Sequence, residues 1–292
     1  MIDTMATVHE WISGARLRTL PAAIAPVIVG TSLAAPKLVW VNAVLALLVA
    51  LSLQIGVNYS NDYSDGIKGT DADRVGPMRL VGSGKAQPHQ VRNAAFLSFA
   101  FAAIFGLALA LRTSLWLILV GALAIGAAWG YTGGKNPYGY RALGELSVFL
   151  FFGLVAVVGT YFVQSKELTA LALIAAFPVG AQACAILVLN NLRDRAKDLQ
   201  VNKRTLAVLM GERATRFLYV ALILGSNVIG VATAVSKPWA ALTALLLPLA
   251  GYLSISVLKG AGGRDLIALL QKTALFQLAF ALLYAAGFLW SA

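Results

Sequence analysis

Charge is scarce in this 292-residue chain: Asp, Glu, Lys and Arg make up only 12% of it, against roughly 25% in soluble domains. That scarcity, together with 59% hydrophobic residues and a mean hydropathy of +0.79, excludes a water-soluble fold and marks an integral membrane protein. Cysteine is almost absent. The lone Cys184 lies inside an apolar run, so it forms no intrachain disulfide and no paired-cysteine metal site, and it reads as a small buried hydrophobe. Although the net charge is +11, no basic run is interleaved with aromatics, which argues against a nucleic-acid partner. The segment from Met1 to Arg18 lacks the basic, apolar and cleavage regions of a signal peptide, so the first apolar run is expected to stay as an anchor.

Apolar runs bounded by charge, Gly or Pro predict nine transmembrane helices, near 19–36, 39–60, 93–111, 114–131, 144–163, 168–190, 216–235, 239–258 and 270–290. They leave no room for a separate soluble domain, so residues 1–292 read as one membrane domain of the all-α class. Pro248 and Gly251 predict a kink in the eighth span. Nine spans put 19 Lys and Arg residues on one side of the bilayer and 4 on the other. By the positive-inside rule the N-terminus is then cytoplasmic and the C-terminus is outside. Of the 12 acidic residues, 11 share the cytoplasmic side, which places the chemistry at that face.

Two helix ends carry polar stripes. The second span runs into Gln54, Asn58, Asn61, Asp62 and Asp65, at steps that share one helical face, and Asp71 and Asp73 follow beyond Gly66 and Gly69. The sixth span ends in Asn190, Asp194 and Asp198, again on one face. A carboxylate near hydrocarbon costs about 2.5–3.5 kcal/mol on insertion scales, so these acids need a cation or a wet cavity. The pattern recurs four helices apart, as an internal repeat setting the stripes opposite each other would give. Six Asp in two clusters, without His or Cys, suit Mg2+ rather than Zn2+ or copper. Cations in the same loops, among them Lys68, Arg74, Arg79, Lys203 and Arg204, suit the phosphates with which Mg2+ completes its shell. A third element, YTGGKNPYGYRALGE, sets Tyr131 four residues before Lys135, beside a Gly-Gly break and ahead of Arg141. Lys135 can reach a phosphate. Arg16 and Arg18 can pair with an anionic substrate or can simply set topology.

At these residues the chain resembles the UbiA superfamily of intramembrane prenyltransferases. The resemblance rests on Asn61-Asp62-Tyr63-Ser64-Asp65, on Tyr131 to Lys135, and on Asp194 to Asp198, and it spans nearly the whole chain. It implies nine helices around a central cavity. Within the superfamily, NDYSDGIKGTD, GPMRLVGSG (Gly76 to Gly84), YTGGKNPYGYRALGE and NNLRDRAKD look most like the polyprenyltransferases of menaquinone biosynthesis, whose acceptor is 1,4-dihydroxy-2-naphthoate. Two departures are Asn202, where a Gly is expected, and Asp71, six residues after Asp65.

What the resemblance implies is transfer of a prenyl group from a polyprenyl diphosphate to the naphthoate ring, with loss of CO2. Mg2+ is expected on Asp62, Asp65, Asp194 and Asp198, with Asn58, Asn61, Asp71 and Asn190 assisting. Lys68, Arg74, Lys135, Arg141, Lys203 and Arg204 are expected on the diphosphate. Tyr131, Trp129 or Phe149 is expected to face the allylic cation. Other acceptors, such as 4-hydroxybenzoate, stay open within this class. A secondary transporter is the rival class, and its polar site belongs near the midplane rather than at helix ends.

Overall fold

The computed structural model describes residues 6–69 and 78–292. Ten helices follow one another: α1 (Val8–Ala15), α2 (Pro21–Ser32), α3 (Trp40–Ile67), α4 (Pro88–Arg112), α5 (Leu117–Gly130), α6 (Gly144–Ser165), α7 (Ala170–Gln200), α8 (Leu206–Val235), α9 (Pro238–Leu258) and α10 (Gly263–Trp290). Among the described residues there is no strand, only an isolated bridge between Arg141 and Arg204. Among the described residues, seven helices are long and apolar enough to cross a membrane. The pair of residues 8–19 and 21–32, bent by 49°, makes an eighth if it counts as one span. Each of the nine runs read from the sequence is helical, but α2 and α5, at 12 and 14 residues, fall short of a crossing on their own.

The long helices explain where polarity can sit. At about 1.5 Å per residue, the 28 residues of α3 and the 31 of α7 reach well beyond a hydrocarbon core of roughly 30 Å. Their excess length carries the two polar stripes out of the apolar zone. The most enclosed span is α7, two-thirds buried over its apolar window. It shares one apolar cluster with α8, α9 and α10, through Val188, Leu189, Ile223, Leu253 and Phe276, and another with α2, α6 and α10, through Val179, Val29, Val157 and Phe280. On the far flank, α1, α3 and α4 pack around Tyr59, Leu80, Val91 and Phe99.

Local chemistry shapes the irregular elements. A reciprocal Thr7–Glu10 capping box starts α1, which ends on Arg16 in the left-handed region (φ 54°) before a short turn into α2. At Pro248 a 3-10 stretch, Pro238–Leu246, gives way to α-helix, with proline in the first turn, where its missing N–H breaks no bond. In α6, residues Phe149–Val155 form a π-helix, seated by Gly153 against Gly180 of α7, where a Cβ on Gly153 would come within 2.7 Å of the other Cα. Asn202 adopts φ 55°, so this position demands the left-handed backbone that the expected glycine supplies and that asparagine tolerates.

Candidate active site

A cavity of about 870 Å³ opens inside the bundle, walled by α1, α2, α3, α5, α6 and α7 with contributions from α4 and α10. Its two ends differ chemically. One is apolar, lined by residues such as Val27, Val49, Leu53, Leu109, Val120 and Phe152. The other gathers Arg16, Arg18, Arg79, Arg193 and Lys203 against the Asp65 carboxylate.

From α3, Gln54, Asn58, Asn61 and Asp65 line this polar mouth, as one helical face should. The Asn58 amide donates to the Ala15 carbonyl at 2.9 Å and to Thr19 Oγ1 at 3.0 Å, and Gln54 Nε2 donates to the same hydroxyl at 2.9 Å. These bonds anchor the turn that carries Arg16 and Arg18. Asn61 Oδ1 accepts from Thr132 at 2.7 Å. Asp65 accepts the Tyr140 hydroxyl at 2.7 Å and lies 3.4 Å from the Arg79 guanidinium.

Asp62, read from the sequence as part of the same stripe, does not line the cavity. Its fully buried carboxylate accepts the backbone N–H groups of Leu80 at 2.7 Å and Val81 at 3.0 Å, fixing the segment that delivers Arg79. The reason is angular: at 100° per residue, Asp62 sits well off the mean direction of Gln54, Asn58, Asn61 and Asp65.

Across the cavity, α7 presents Asn190, Asn191 and Arg193. Arg193 grips Asp194 through two 2.7 Å bonds and donates to Asn190 Oδ1 at 2.8 Å. Asp198 is buried and pairs with Lys203 at 3.6 Å. Thus both stripes serve one cavity, but Asp194 and Asp198 stand behind the two cations that face it.

Tyr140 joins three loops. Lys68 Nζ and Lys203 Nζ lie 4.8 and 5.0 Å from its ring centroid, and its carbonyl accepts the Arg204 N–H at 3.1 Å. Lys68 also donates to the Thr132 carbonyl at 2.8 Å. Burial lowers the Lys68 pKa, Asp65 opposes that shift and the neighbouring Lys203 charge adds to it. Tyr131 lines the cavity. Lys135, Arg141 and Arg204 are exposed and lie outside the cavity wall, the last two linked by their backbone bridge. Asp71, Asp73 and Arg74 lie outside the described residues.

Of the three aromatics offered for the allylic cation, Tyr131 lines the cavity and the other two do not. Trp129 stacks on Phe96 at 4.7 Å and Tyr63 at 6.1 Å, and Phe149 packs on Phe177 at 5.3 Å, none of it on the cavity wall. Phe151 and Phe152 line it instead, adjacent residues turned inward within the π-helix. Among the described residues, no three His, Cys, Asp or Glu side chains converge as a ready metal cage. The cavity does offer hard oxygen donors: the Asp65 carboxylate and the Asn58, Asn61 and Asn190 amides.

A multi-pass helical membrane protein with a cationic, oxygen-rich mouth above an apolar trough is built to hold an amphipathic anion. Residues 23–278 match the UbiA prenyltransferase family, and the chain belongs to that family. It is 50% identical over 280 residues to the 1,4-dihydroxy-2-naphthoate octaprenyltransferase of Mycobacterium tuberculosis, covering 95% of this chain and 96% of that protein. In fold it resembles the apo UbiA homologue of Aeropyrum pernix K1, with a TM-score of 0.72 and 16% identity over 93% of this chain and 97% of that one. It also resembles the Archaeoglobus fulgidus UbiA homologue bound to DMAPP and Mg2+, with a TM-score of 0.68 and 15% identity over 94% of this chain and 99% of that one.

Proposed function

We propose that this protein transfers a polyprenyl group from a polyprenyl diphosphate to 1,4-dihydroxy-2-naphthoate, with Mg2+ and with loss of CO2, giving the demethylmenaquinol of menaquinone biosynthesis. The observation that carries this reading is the two-ended cavity: five cationic side chains and one carboxylate at the mouth, and an apolar trough behind them. A prenyl diphosphate has the same division. The name of the half-identical M. tuberculosis relative supports the naphthoate acceptor.

Arg16, Arg18, Arg79, Arg193 and Lys203 hold the diphosphate and neutralise charge on the departing oxygens. Lys68, Arg141 and Arg204 extend this cationic rim, and Arg74 is a further cation for the diphosphate. Lys135, exposed on the loop after Gly133 and Gly134, extends the same rim toward the diphosphate. Mg2+ fits the hard oxygens of Asn58, Asn61, Asp65 and Asn190, with Asp71 a further donor; once bound, it adds Lewis-acid stabilisation of the leaving diphosphate. Arg193 and Lys203 face the cavity while paired to Asp194 and Asp198. With donor bound, Arg193 and Lys203 would serve the phosphate, and Asp194 and Asp198 would be further ligands for Mg2+. Asp62 acts one step back, by holding Arg79 in place.

Tyr131, Phe151 and Phe152 line the path of the allylic carbon and face its developing positive charge with aromatic rings while excluding water. The trough runs along α5, which has no buried residue and forms a thin wall toward lipid, a route for the long tail. We infer one domain over 1–292 crossing the bacterial cytoplasmic membrane nine times, with α2 and α5 as short crossings. The N-terminus and the polar mouth then lie on the cytoplasmic side, in keeping with the basic-residue asymmetry. To test the reaction, the purified protein in nanodiscs is given labelled polyprenyl diphosphate with dihydroxynaphthoate or 4-hydroxybenzoate, with and without Mg2+. Mg2+-dependent prenylated naphthoquinol and released CO2 are expected. Turnover of 4-hydroxybenzoate alone would overturn the acceptor, and no prenyl transfer to either would overturn the reaction.

A further inference from the structure

Glu145 opens α6 behind the cavity wall, against Asn191, which lines the cavity, and has no cationic partner among the described residues. It is only 8% exposed. Its backbone carbonyl accepts from Cys184 Sγ at 3.1 Å, its Oε1 accepts from Asn191 Nδ2 at 2.9 Å, and no donor among the described residues reaches its Oε2. Replacing this residue by a hydrocarbon would remove a buried carboxylate of the kind proteins rarely keep without a partner. Its geometry suggests a use.

Glu145 Oε1 accepts from Asn191, so the NH2 end of the Asn191 amide is the end that faces it. This leaves the Asn191 carbonyl oxygen for the cavity that Asn191 helps to line. That oxygen is a poor match for the donor substrate: an ionised diphosphate offers only acceptors and a prenyl tail offers neither donors nor acceptors. Of the two reactants, only the aromatic acceptor carries O–H groups. Resting on the function proposed above, we infer that Glu145 is a positioning residue that orients Asn191 to accept a hydrogen bond from a ring hydroxyl of the aromatic acceptor. The pair thereby selects hydroxylated rings at the mouth. Tyr131 bounds the same corner, its hydroxyl lying over Gly144.

The test separates this role from fold and from chemistry. Binding of 1-hydroxy-2-naphthoate and 1-methoxy-2-naphthoate is measured in nanodiscs with no prenyl donor present, so that neither can react, and the acceptor and donor KM are measured separately. In the wild type the hydroxy compound should bind about tenfold tighter, the scale of one well-made hydrogen bond in a buried site. Glu145→Ala and Asn191→Leu should erase that preference and raise the acceptor KM about tenfold, leaving the donor KM within about twofold. Glu145→Gln keeps an acceptor toward the Asn191 NH2 and should restore both. If Glu145→Ala fails to fold, the E145L/N191L pair, which replaces both polar partners by apolar groups, carries the same expectation. An unchanged hydroxy-over-methoxy preference in folded variants would overturn the inference. Because competitor binding needs no turnover, failure of the proposed reaction is read separately, from the wild type.

Discussion

Replacing Asp62 distinguishes a carboxylate that organises a segment from one that meets the substrate. Its two oxygens take the N–H groups of Leu80 and Val81 at 2.7 and 3.0 Å, with Asp62 and Leu80 fully buried and Val81 partly so. Asp62→Ala orphans both donors, and at about 1–3 kcal/mol for each buried unsatisfied N–H the local loss is about 2–6 kcal/mol. Residues 78–86 should then open more often. Amide exchange at Leu80 and Val81, followed by mass spectrometry in nanodiscs, should accelerate about 30-fold or more, while the α7–α10 core keeps its protection. Prenyl transfer should fall as well, because Arg79 rides on the same segment. Asp62→Asn retains one acceptor and should lie between. The comparison variant is Asp65→Ala, which should lose transfer with exchange at Leu80 and Val81 nearly unchanged. Equal protection in wild type and Asp62→Ala, alongside complete loss of activity, would refute the reasoning and return Asp62 to the substrate.

Other outcomes follow from the same geometry. Arg193→Ala or Lys203→Ala should weaken donor binding by about 10- to 100-fold, the scale of one charge-assisted hydrogen bond, in an inhibition assay with inorganic diphosphate. Tyr140→Phe removes the hydroxyl that Asp65 accepts and should reduce kcat about tenfold with little change in the melting temperature. The Lys68 pKa lies below its ordinary 10.5, so its charge, and the donor affinity it supports, should decline before pH 10.5 is reached. Lys68→Arg should remove that alkaline limb, and a pH series of donor affinity checks it. Lys135→Ala should raise the donor KM and leave the acceptor KM alone.

The helix ends were legible because amphipathic spacing is a local property: Asn58, Asn61, Asp65 and Asn190 were identified from their steps and line the cavity. The positions of the spans were legible for the same reason, since apolar runs need no partner to be recognised. Asp62 was misread because its partners, Leu80 and Val81, come from a segment with no periodic signal. Tyr140 was passed over because a tyrosine in a polar loop looks like any other until Asp65, Lys68 and Lys203 surround it. Phe151 and Phe152 share an ordinary helical face with Val148, Val155, Ala156 and Gly159 along the cavity, but the span is apolar all round, so no polar contrast marks that face in the sequence. Asn202 was noticed as a departure from a glycine pattern, and its left-handed backbone explains both residues. The bend after Arg16 was not anticipated, since it depends on Asn58 and Gln54 anchoring a distant turn.

The central claim is that one cavity holds a prenyl diphosphate by its charged head and its apolar tail, with Mg2+. Equilibrium binding of a non-ionisable polyprenyl thiolodiphosphate to the protein in nanodiscs tests it most directly, with and without EDTA and beside inorganic diphosphate. The analogue should bind tightly with Mg2+, about tenfold or more weaker with EDTA, and tighter than inorganic diphosphate by the contribution of its tail. Binding that ignores Mg2+, or that is no stronger with the tail than without it, would contradict the account.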